Sequence, residues 1–506
     1  MKNRNKYAFI FSHTVAVILL LLTSGCSENS WDDHYKQIDE RLEVNLLEVL
    51  SQDSELTKFV ALLKQTELDK LLAYSQAYTV WAPSNAAIDA LPAETLNDPE
   101  LLKRLLENHI SKFSYSSNII EESVLVKMLN DKYIAFAKSG TEVSFGGVAI
   151  LEKDVLASNG VLHKVNGILN VSPNIWGYLN ENETEFITMM TYLNQFNETV
   201  FDEANSVKIG SNSLGQAVYD SLYVSSNTHF NVVGNLNSEE ERFTTIGISD
   251  MAYTASYNML KDYYQYPVED SVKNNTDKAI FNNFNFPAIL PADLGGVITT
   301  TTGNSVMLAP ENIVEDIPLS NGNLLVVSDL GFDAKDVIFK PVRYEVENPE
   351  RRVIGSLTDL TIKKKYNVNA SGEFINTVDL LENPNGNNSN NYFEIAFPNV
   401  LSAAYTVNIK FHPIGASQDT KLKFEFSYKD LSGTTIKHEI PSMVISNLLE
   451  DVMQIGDTYT IPVYVNNAQS NSYFVKLKVI VDISEPELLL YDRKFGIDYV
   501  ELIPAE

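Results

Sequence analysis

The sequence predicts two consecutive α+β domains followed by an all-β antiparallel sandwich, and three observations carry this. From Asn45 to Leu63 apolar residues recur mostly three and four apart, as in Leu56, Phe59, Val60, Leu62 and Leu63, the period of amphipathic helices. A strand, cap and helix pattern at Tyr78 and an Asn-Gly pair at Asn159 return 165 and 162 residues later, at Phe243 and Asn321. From Lys340 the period falls to two, the mark of strands with one buried face, in Tyr392 to Phe397, Tyr405 to Phe411, Leu422 to Tyr428 and Phe474 to Val481.

The chain opens with Lys2, Arg4 and Lys6, then an apolar run strongest over Val15 to Leu22, then small residues up to Cys26. That run is well short of the ~20 residues a spanning helix needs, so residues 1–25 read as an export signal. Leu21-Leu22-Thr23-Ser24-Gly25-Cys26 resembles a lipobox, with Thr23 where Leu is usual and Leu22 one position further back. The resemblance implies acylation of Cys26, here the single cysteine of the chain, and an anchor in outer-membrane lipid. Residues 26–40 read as an acidic tether, and Glu28, Asp32 and Asp33 resemble a surface-export signal, implying a lipoprotein that faces the cell exterior. Removing the signal would take the formal charge from −28 to −31, which disfavours nucleic acid and anionic headgroups as partners.

Over 41–175 the punctuation is dense. Tyr78-Thr79-Val80-Trp81-Ala82-Pro83 is a strand ended by proline, Ser84-Asn85 caps a short helix, and Pro99 opens a helix with Leu101, Leu102, Leu105, Leu106 and Ile110. Asn159-Gly160 supplies the positive-φ positions of a two-residue hairpin turn. The segment YTVWAPSNAAIDAL at 78–91 resembles the first signature of the fasciclin family, and ASNGVLHKVNGIL at 157–169 resembles the second. Asn108-His109 stands where the family usually has Tyr-His, a region linked to cell adhesion. With Asn108 in the tyrosine's place, no adhesion site is carried over. His109 and His163 read as buried, hydrogen-bonded structural residues.

Residues 180–340 form a diverged second copy: Phe243 to Tyr253 aligns with Tyr78 to Ile88, and Ser320-Asn321-Gly322 with Ser158-Asn159-Gly160. This copy lacks the signature proline, carries Leu325 in place of His163, and opens with a longer insert from Gly210 to Gly234. Residues 345–506 read as the sandwich, and Phe495 to Pro504 resembles the closing strand of jelly-roll domains of the galactose-binding, carbohydrate-binding-module type.

No phosphate loop, paired-His zinc motif, nucleophile elbow or cysteine pair is present, so the sequence implies no catalytic residues, metal or cofactor. Glu239-Glu240-Glu241 reads as a solvated face. The amide-rich run at 383–391, with Asn387, Asn388 and Asn390, offers groups that pair with sugar hydroxyls, and Tyr392 and Tyr405 follow as candidates for stacking on a sugar ring. These features favour a non-catalytic surface protein that binds a glycan or a protein, alongside a TonB-dependent outer-membrane importer. A glycan-active enzyme with its site in the sandwich, or a structural spacer, are the alternatives. The anchor is directly testable: Cys26→Ala should leave an unprocessed or soluble protein that takes up no labelled fatty acid. A mutant that stays processed and membrane-bound would rule lipidation out.

Overall fold

The structure, a computed structural model, describes residues 43–203, 206–290, 296–330, 338–354, 360–369, 371–382, 391–413, 417–466 and 473–505. The proposed signal, Cys26 and the tether lie outside the described residues. The chain divides into two compact units, 1–173 and 174–506.

The first unit begins with helices α1 (Leu46–Gln52), α2 (Thr57–Gln65) and α3 (Leu68–Leu72). Asn45 caps α1 in a reciprocal box with Glu48, and the apolar faces bury Leu46, Leu50, Phe59, Val60, Leu63 and Leu72. Strand β1 (Tyr78–Pro83) follows and is buried throughout. Ser84 then accepts from the Ala87 amide and starts α4 (Asn85–Asp89), leading through α5 (Ala93–Asn97) to α6 (Pro99–Glu107), capped by Asp98. The remaining strands are β2 (Ile110–Ser111), β3 (Ser123–Lys127), β4 (Tyr133–Ser139), β5 (Glu142–Phe145), β6 (Val148–Ala157) and β7 (Gly160–Val165). Together with β1 they form a sheet in the order β2-β1-β7-β6-β5-β4-β3, in which β1 and β7 run parallel with Tyr78 opposite Gly160. One core lies against the helices, and a second surrounds Trp81, Phe136 and Phe145.

The Asn159-Gly160 pair works differently from the expected turn. Ala157 pairs with Gly160, so Ser158 and Asn159 are the loop residues, and Asn159 is not among the positive-φ positions. What selects this asparagine is its side chain. The amide oxygen accepts from the Leu46 backbone N–H at 2.8 Å, and the amide nitrogen donates to the carbonyls of Leu72 (2.8 Å) and Tyr74 (2.7 Å). One buried side chain thereby satisfies backbone groups left open at the start of α1 and the end of α3. Gly160 is needed for space, since a Cβ there would collide with the Tyr78 carbonyl oxygen.

The second unit opens with the same device. Helix α7 (Ile175–Glu181) is capped by Asn174 and followed by α8 (Ile187–Asn194). The Asn321 amide oxygen accepts from the Ile175 N–H at 2.8 Å, and its nitrogen donates to Leu236 (2.9 Å) and Ser238 (2.8 Å) carbonyls. Between α8 and α9 (Phe230–Val233) the chain makes two ribbons, β8 (Asn197–Phe201) with β11 (Tyr223–Asn227), and β9 (Val207–Ser211) with β10 (Ala217–Asp220). The principal sheet uses β12 (Phe243–Ile248), β13 (Asn285–Phe286), β16 (Ile313–Leu319) and β17 (Gly322–Val327), with a separate ribbon of β14 (Gly296–Thr299) and β15 (Ser305–Leu308). Strands β12 and β17 are parallel with Phe243 opposite Gly322, where a Cβ would again meet a carbonyl oxygen, that of Phe243. Ser249 caps α10 (Asp250–Leu260) as Ser84 caps α4, and α11 (Glu269–Phe281) follows. Thr79 and Thr244 also correspond: each hydroxyl donates to one carbonyl, of Phe113 or Ala288, and accepts one amide, from Tyr115 or Leu290.

The rest of the second unit is built of antiparallel strands. Strands β18 (Val342–Glu345), β20 (Leu360–Val368), β21 (Phe374–Glu382), β23 (Ala404–His412), β26 (Val452–Thr460) and β28 (Phe495–Pro504) form one sheet, with β28 between β21 and β23 and also paired with β18. Strands β19 (Arg352–Ile354), β22 (Tyr392–Ala396), β24 (Thr420–Lys429), β25 (Thr435–Ile445) and β27 (Val475–Val481) form the other. Alternate residues of β23 and β27 are buried, as their period of two requires.

Each buried asparagine makes three hydrogen bonds to backbone. Asn159→Ala and Asn321→Ala should each destabilise their unit by roughly 2–4 kcal/mol, since three backbone groups lose their partner. Urea melts followed by hydrogen exchange at the Leu46 and Ile175 amides measure this. Unchanged protection at these amides would contradict the role assigned to the side chains.

Candidate functional site

Of the glycan candidates named from sequence, Tyr392 and Tyr405 lie among the described residues. Asn387, Asn388 and Asn390 lie outside the described residues. Tyr392 sits on β22 with the Lys478 ammonium 3.7 Å from its ring centroid, so a cation already occupies one face. Tyr405 is removed from the candidate set: it is fully buried, its hydroxyl accepts from the Leu401 N–H at 3.1 Å, and burial pushes its phenol up to about 12. Its position on the inward phase of β23 makes it core. Glu239 is also tied into the fold, accepting from Asn174 and Ser320 at 3.1 Å each.

A cleft of about 390 Å³ lies elsewhere in the second unit, between α11 and the segments that precede β23 and follow β26. Its floor is fixed by backbone bonds, from Ser402 N–H to the Tyr263 carbonyl and from Tyr464 N–H to the Gln265 carbonyl, each 2.8 Å. Tyr264 and Tyr464 meet edge to face at 5.0 Å. Burial raises both phenols above the ordinary tyrosine range, so they stay protonated and able to donate.

One wall is a helix face. Asn275, Lys278, Ala279 and Asn282 fall at i, i+3, i+4 and i+7 along α11 and its C-cap, the spacing that places side chains on one side. Asn283 Nδ2 donates to the Ala279 carbonyl at 2.6 Å, and Thr302 Oγ1 donates to that of Asn282 at 3.0 Å, so the helix C-terminus is covered. Asn304 then bridges the mouth, donating to Asn283 Oδ1 at 2.9 Å and accepting from the Lys340 ammonium at 2.7 Å. Asn399 and Asn466 complete the lining from the β-rich side. Asn399 adopts a left-handed backbone (φ 52°), which asparagine tolerates better than most residues. The described side chains of Asn275, Asn282 and Lys278 have no hydrogen-bond partner of their own, and no carboxylate is among the described lining residues.

A larger depression of about 600 Å³ in the first unit is lined by β4, β5 and β6, with Lys138, Glu142 and Lys153 at its edge. It gathers neither side-chain amides nor aromatic rings, so it lacks the convergent polar and flat apolar groups that define a small-molecule site.

The two described histidines of the first unit, His109 and His163, are structural. His109 is fully buried, its Nδ1–H donating to the Leu105 carbonyl (2.8 Å) while Nε2 accepts from the Leu169 N–H (3.1 Å). His163 stacks on Trp81 at 5.6 Å, accepts from the Asp154 N–H through Nδ1 and donates through Nε2–H to the Tyr115 carbonyl. Asn108, also buried, donates to the Leu169 and Asn170 carbonyls at 3.2 Å each.

Comparison with known proteins assigns the first unit. Residues 54–171 match the fasciclin domain family. The first unit carries a fasciclin domain. Over 130 residues the chain is 34% identical to the transforming growth factor-beta-induced protein ig-h3 of Sus scrofa, covering 25% of this chain and 19% of that protein. Over 132 residues it is 24% identical to Protein sll1483 of Synechocystis, covering 25% and 73%. The chain thus spans about a fifth of the length of the ig-h3 relatives it matches. Among solved structures, the FAS1 domain pair of the insect cell adhesion molecule Fasciclin I covers 57% of this chain at 17% identity and TM-score 0.24. A family 22 carbohydrate-binding module of Clostridium thermocellum Xyn10B covers 31% at 14% identity and TM-score 0.21.

In the fasciclin domain both signatures therefore mark folding devices, and the cleft uses none of them. Its lining escapes sequence reading because Asn275, Lys278 and Asn282 form a polar helix stripe, which looks like any solvated face. The domain also has a built-in pH response. Burial lowers His109 from 6.5 to about 4. Above about pH 6.5 both folded and unfolded imidazole are neutral, and the His109 contribution is intact. As pH falls from 6.5 to about 4 only the unfolded form gains the proton, so stability declines by roughly 3 kcal/mol over that window. His109→Gln should be less stable at pH 7 yet show a shallower decline between pH 6.5 and 4 in urea titrations. An unchanged slope would contradict the assignment.

Proposed function

We propose that the chain is a non-catalytic cell-surface lipoprotein that binds a glycan in the amide-lined cleft of its second unit. The observation that carries this is the lining itself: asparagines converging from α11, the chain after it and the β-rich part, beside two tyrosines, in a space of about 390 Å³. Amides both donate and accept, matching hydroxyls that do the same, while tyrosine offers an apolar body with a polar tip. The volume lies in the range of small-ligand sites.

Non-catalytic action is favoured because glycoside hydrolysis in its common form needs two carboxyl groups flanking the bond, and the described lining holds none. In this reading residues 180–340 are a degenerate second fasciclin-like domain, supported by the matching roles of Asn159 and Asn321, Gly160 and Gly322, Thr79 and Thr244, and Ser84 and Ser249. Residues 345–506 are a jelly-roll sandwich of the carbohydrate-binding-module type, supported by the two antiparallel sheets and by β28 lying inside one of them. A lipid on Cys26 holds the protein on the outer membrane, facing outward, where it presents ligand to a TonB-dependent importer or holds the cell to a matrix.

The purified chain without residues 1–25, screened on a glycan array and then by calorimetry, tests the reading. Asn275→Ala and Asn282→Ala remove groups that bond nothing else among the described residues, so the fold should survive. Each should weaken binding about five- to tenfold, as expected for one hydrogen bond. Absence of any glycan ligand, or full affinity in both variants, would overturn it.

A further inference from the structure

We infer that the saccharide held in the cleft carries a carboxylate, an acidic sugar of the uronate or sialate class; this rests on the glycan reading above. The chain has 66 acidic and 38 basic residues, yet the described lining of the cleft holds two lysines and no acid. A neutral ligand would give this local reversal of sign no role. A carboxylate would use it.

The two ammonium groups differ in their surroundings. Lys340 is oriented by its 2.7 Å bond to Asn304 Oδ1, which holds it at the mouth and leaves two of its three donors for a ligand. The Lys278 ammonium makes no hydrogen bond or ion pair among the described residues, although a nearby acid would be the ordinary partner on so acidic a chain. Its neighbour Asp277 does not serve, because that carboxylate is buried against Tyr253 Oη (2.7 Å) and the Lys273 ammonium.

Two effects oppose an anion. The C-terminal end of α11 faces the cleft with a partial charge of about half an electron, but Asn283 and Thr302 cover its last carbonyls, and two full positive charges outweigh it. The acidic surface as a whole repels anions, but over distances beyond about 8 Å physiological salt screens that repulsion, while a carboxylate in contact with an ammonium is screened far less. The contact decides the sign. Both lysines are exposed, so the gain is modest, on the order of tenfold for the pair.

The test compares matched probes on the whole chain without residues 1–25. Digalacturonate is titrated against digalactose, and sialyllactose against lactose, which separates the two acidic sources. The acidic member of one pair should bind about tenfold tighter at low salt, with the preference fading near roughly 1 M salt, where the screening length is about 3 Å. Lys278→Gln combined with Lys340→Gln should abolish the preference for the acidic probe, and Lys278→Arg with Lys340→Arg should restore it. Equal affinity for acidic and neutral probes would overturn the carboxylate inference while leaving glycan binding standing. So would a preference that survives in the glutamine variant. No binding by any saccharide would overturn both.

Discussion

The architecture depends on a buried asparagine side chain placed just before a glycine strand. Asn159 and Asn321 each accept from the first amide of a helix and donate to two carbonyls, joining chain segments separated by 113 and 146 residues at their farthest. A helix end and a loop end both leave polar backbone groups open, and burying these without partners costs about 1–3 kcal/mol each. One amide answers three of them. The following glycine lets β1 or β12 approach so closely that no side chain fits, and this fixes the parallel pairing on which each sheet is ordered.

That arrangement also explains why the family signatures say little about ligands. Trp81 packs face to face with Phe145 at 3.9 Å, and His163 and Phe136 close around it. His109 spends both ring nitrogens on backbone, and Asn108 donates to two backbone carbonyls while its Oδ1 accepts from Asn130 Nδ2. In the second unit, the α11 face and the segments of the β-rich part bring side-chain amides together around the cleft, and among these the amides of Asn275 and Asn282 on the helix side have no partner among the described residues. The fold supplies rigidity on both sides: the aromatic contacts of Tyr264 with Tyr464 and of Tyr266 with Tyr473 pin the junction, so the cleft is shaped before any ligand arrives.

Much of the fold was legible in the sequence because its signals are local. Ser84 as a cap, Pro99 as a helix start, Pro83 as a strand stop and the period-two runs from Tyr392 all act within a few residues. The Asn-Gly pair was legible as a turn but not in its mechanism, since the decisive bonds of Asn159 reach Leu46 and Leu72, far away in sequence. Tyr405 illustrates the same limit. Alternation places it on one face of β23, but which face is the core depends on the second sheet. The cleft was not legible at all, because its lining spans residues 264 to 466 and each piece alone is an ordinary polar stripe or loop.

In the proposed function ligand is held in this cleft and not on the outer surface of the β-rich part. A crystal structure of the chain without residues 1–25, soaked with a saccharide that binds in solution, tests it most directly. Sugar density is expected between the Asn275, Lys278 and Asn282 face of α11 and Tyr464, with hydroxyls bonded to the lining amides. Density at Tyr392 and the 383–391 segment, with the cleft holding only solvent, would contradict it.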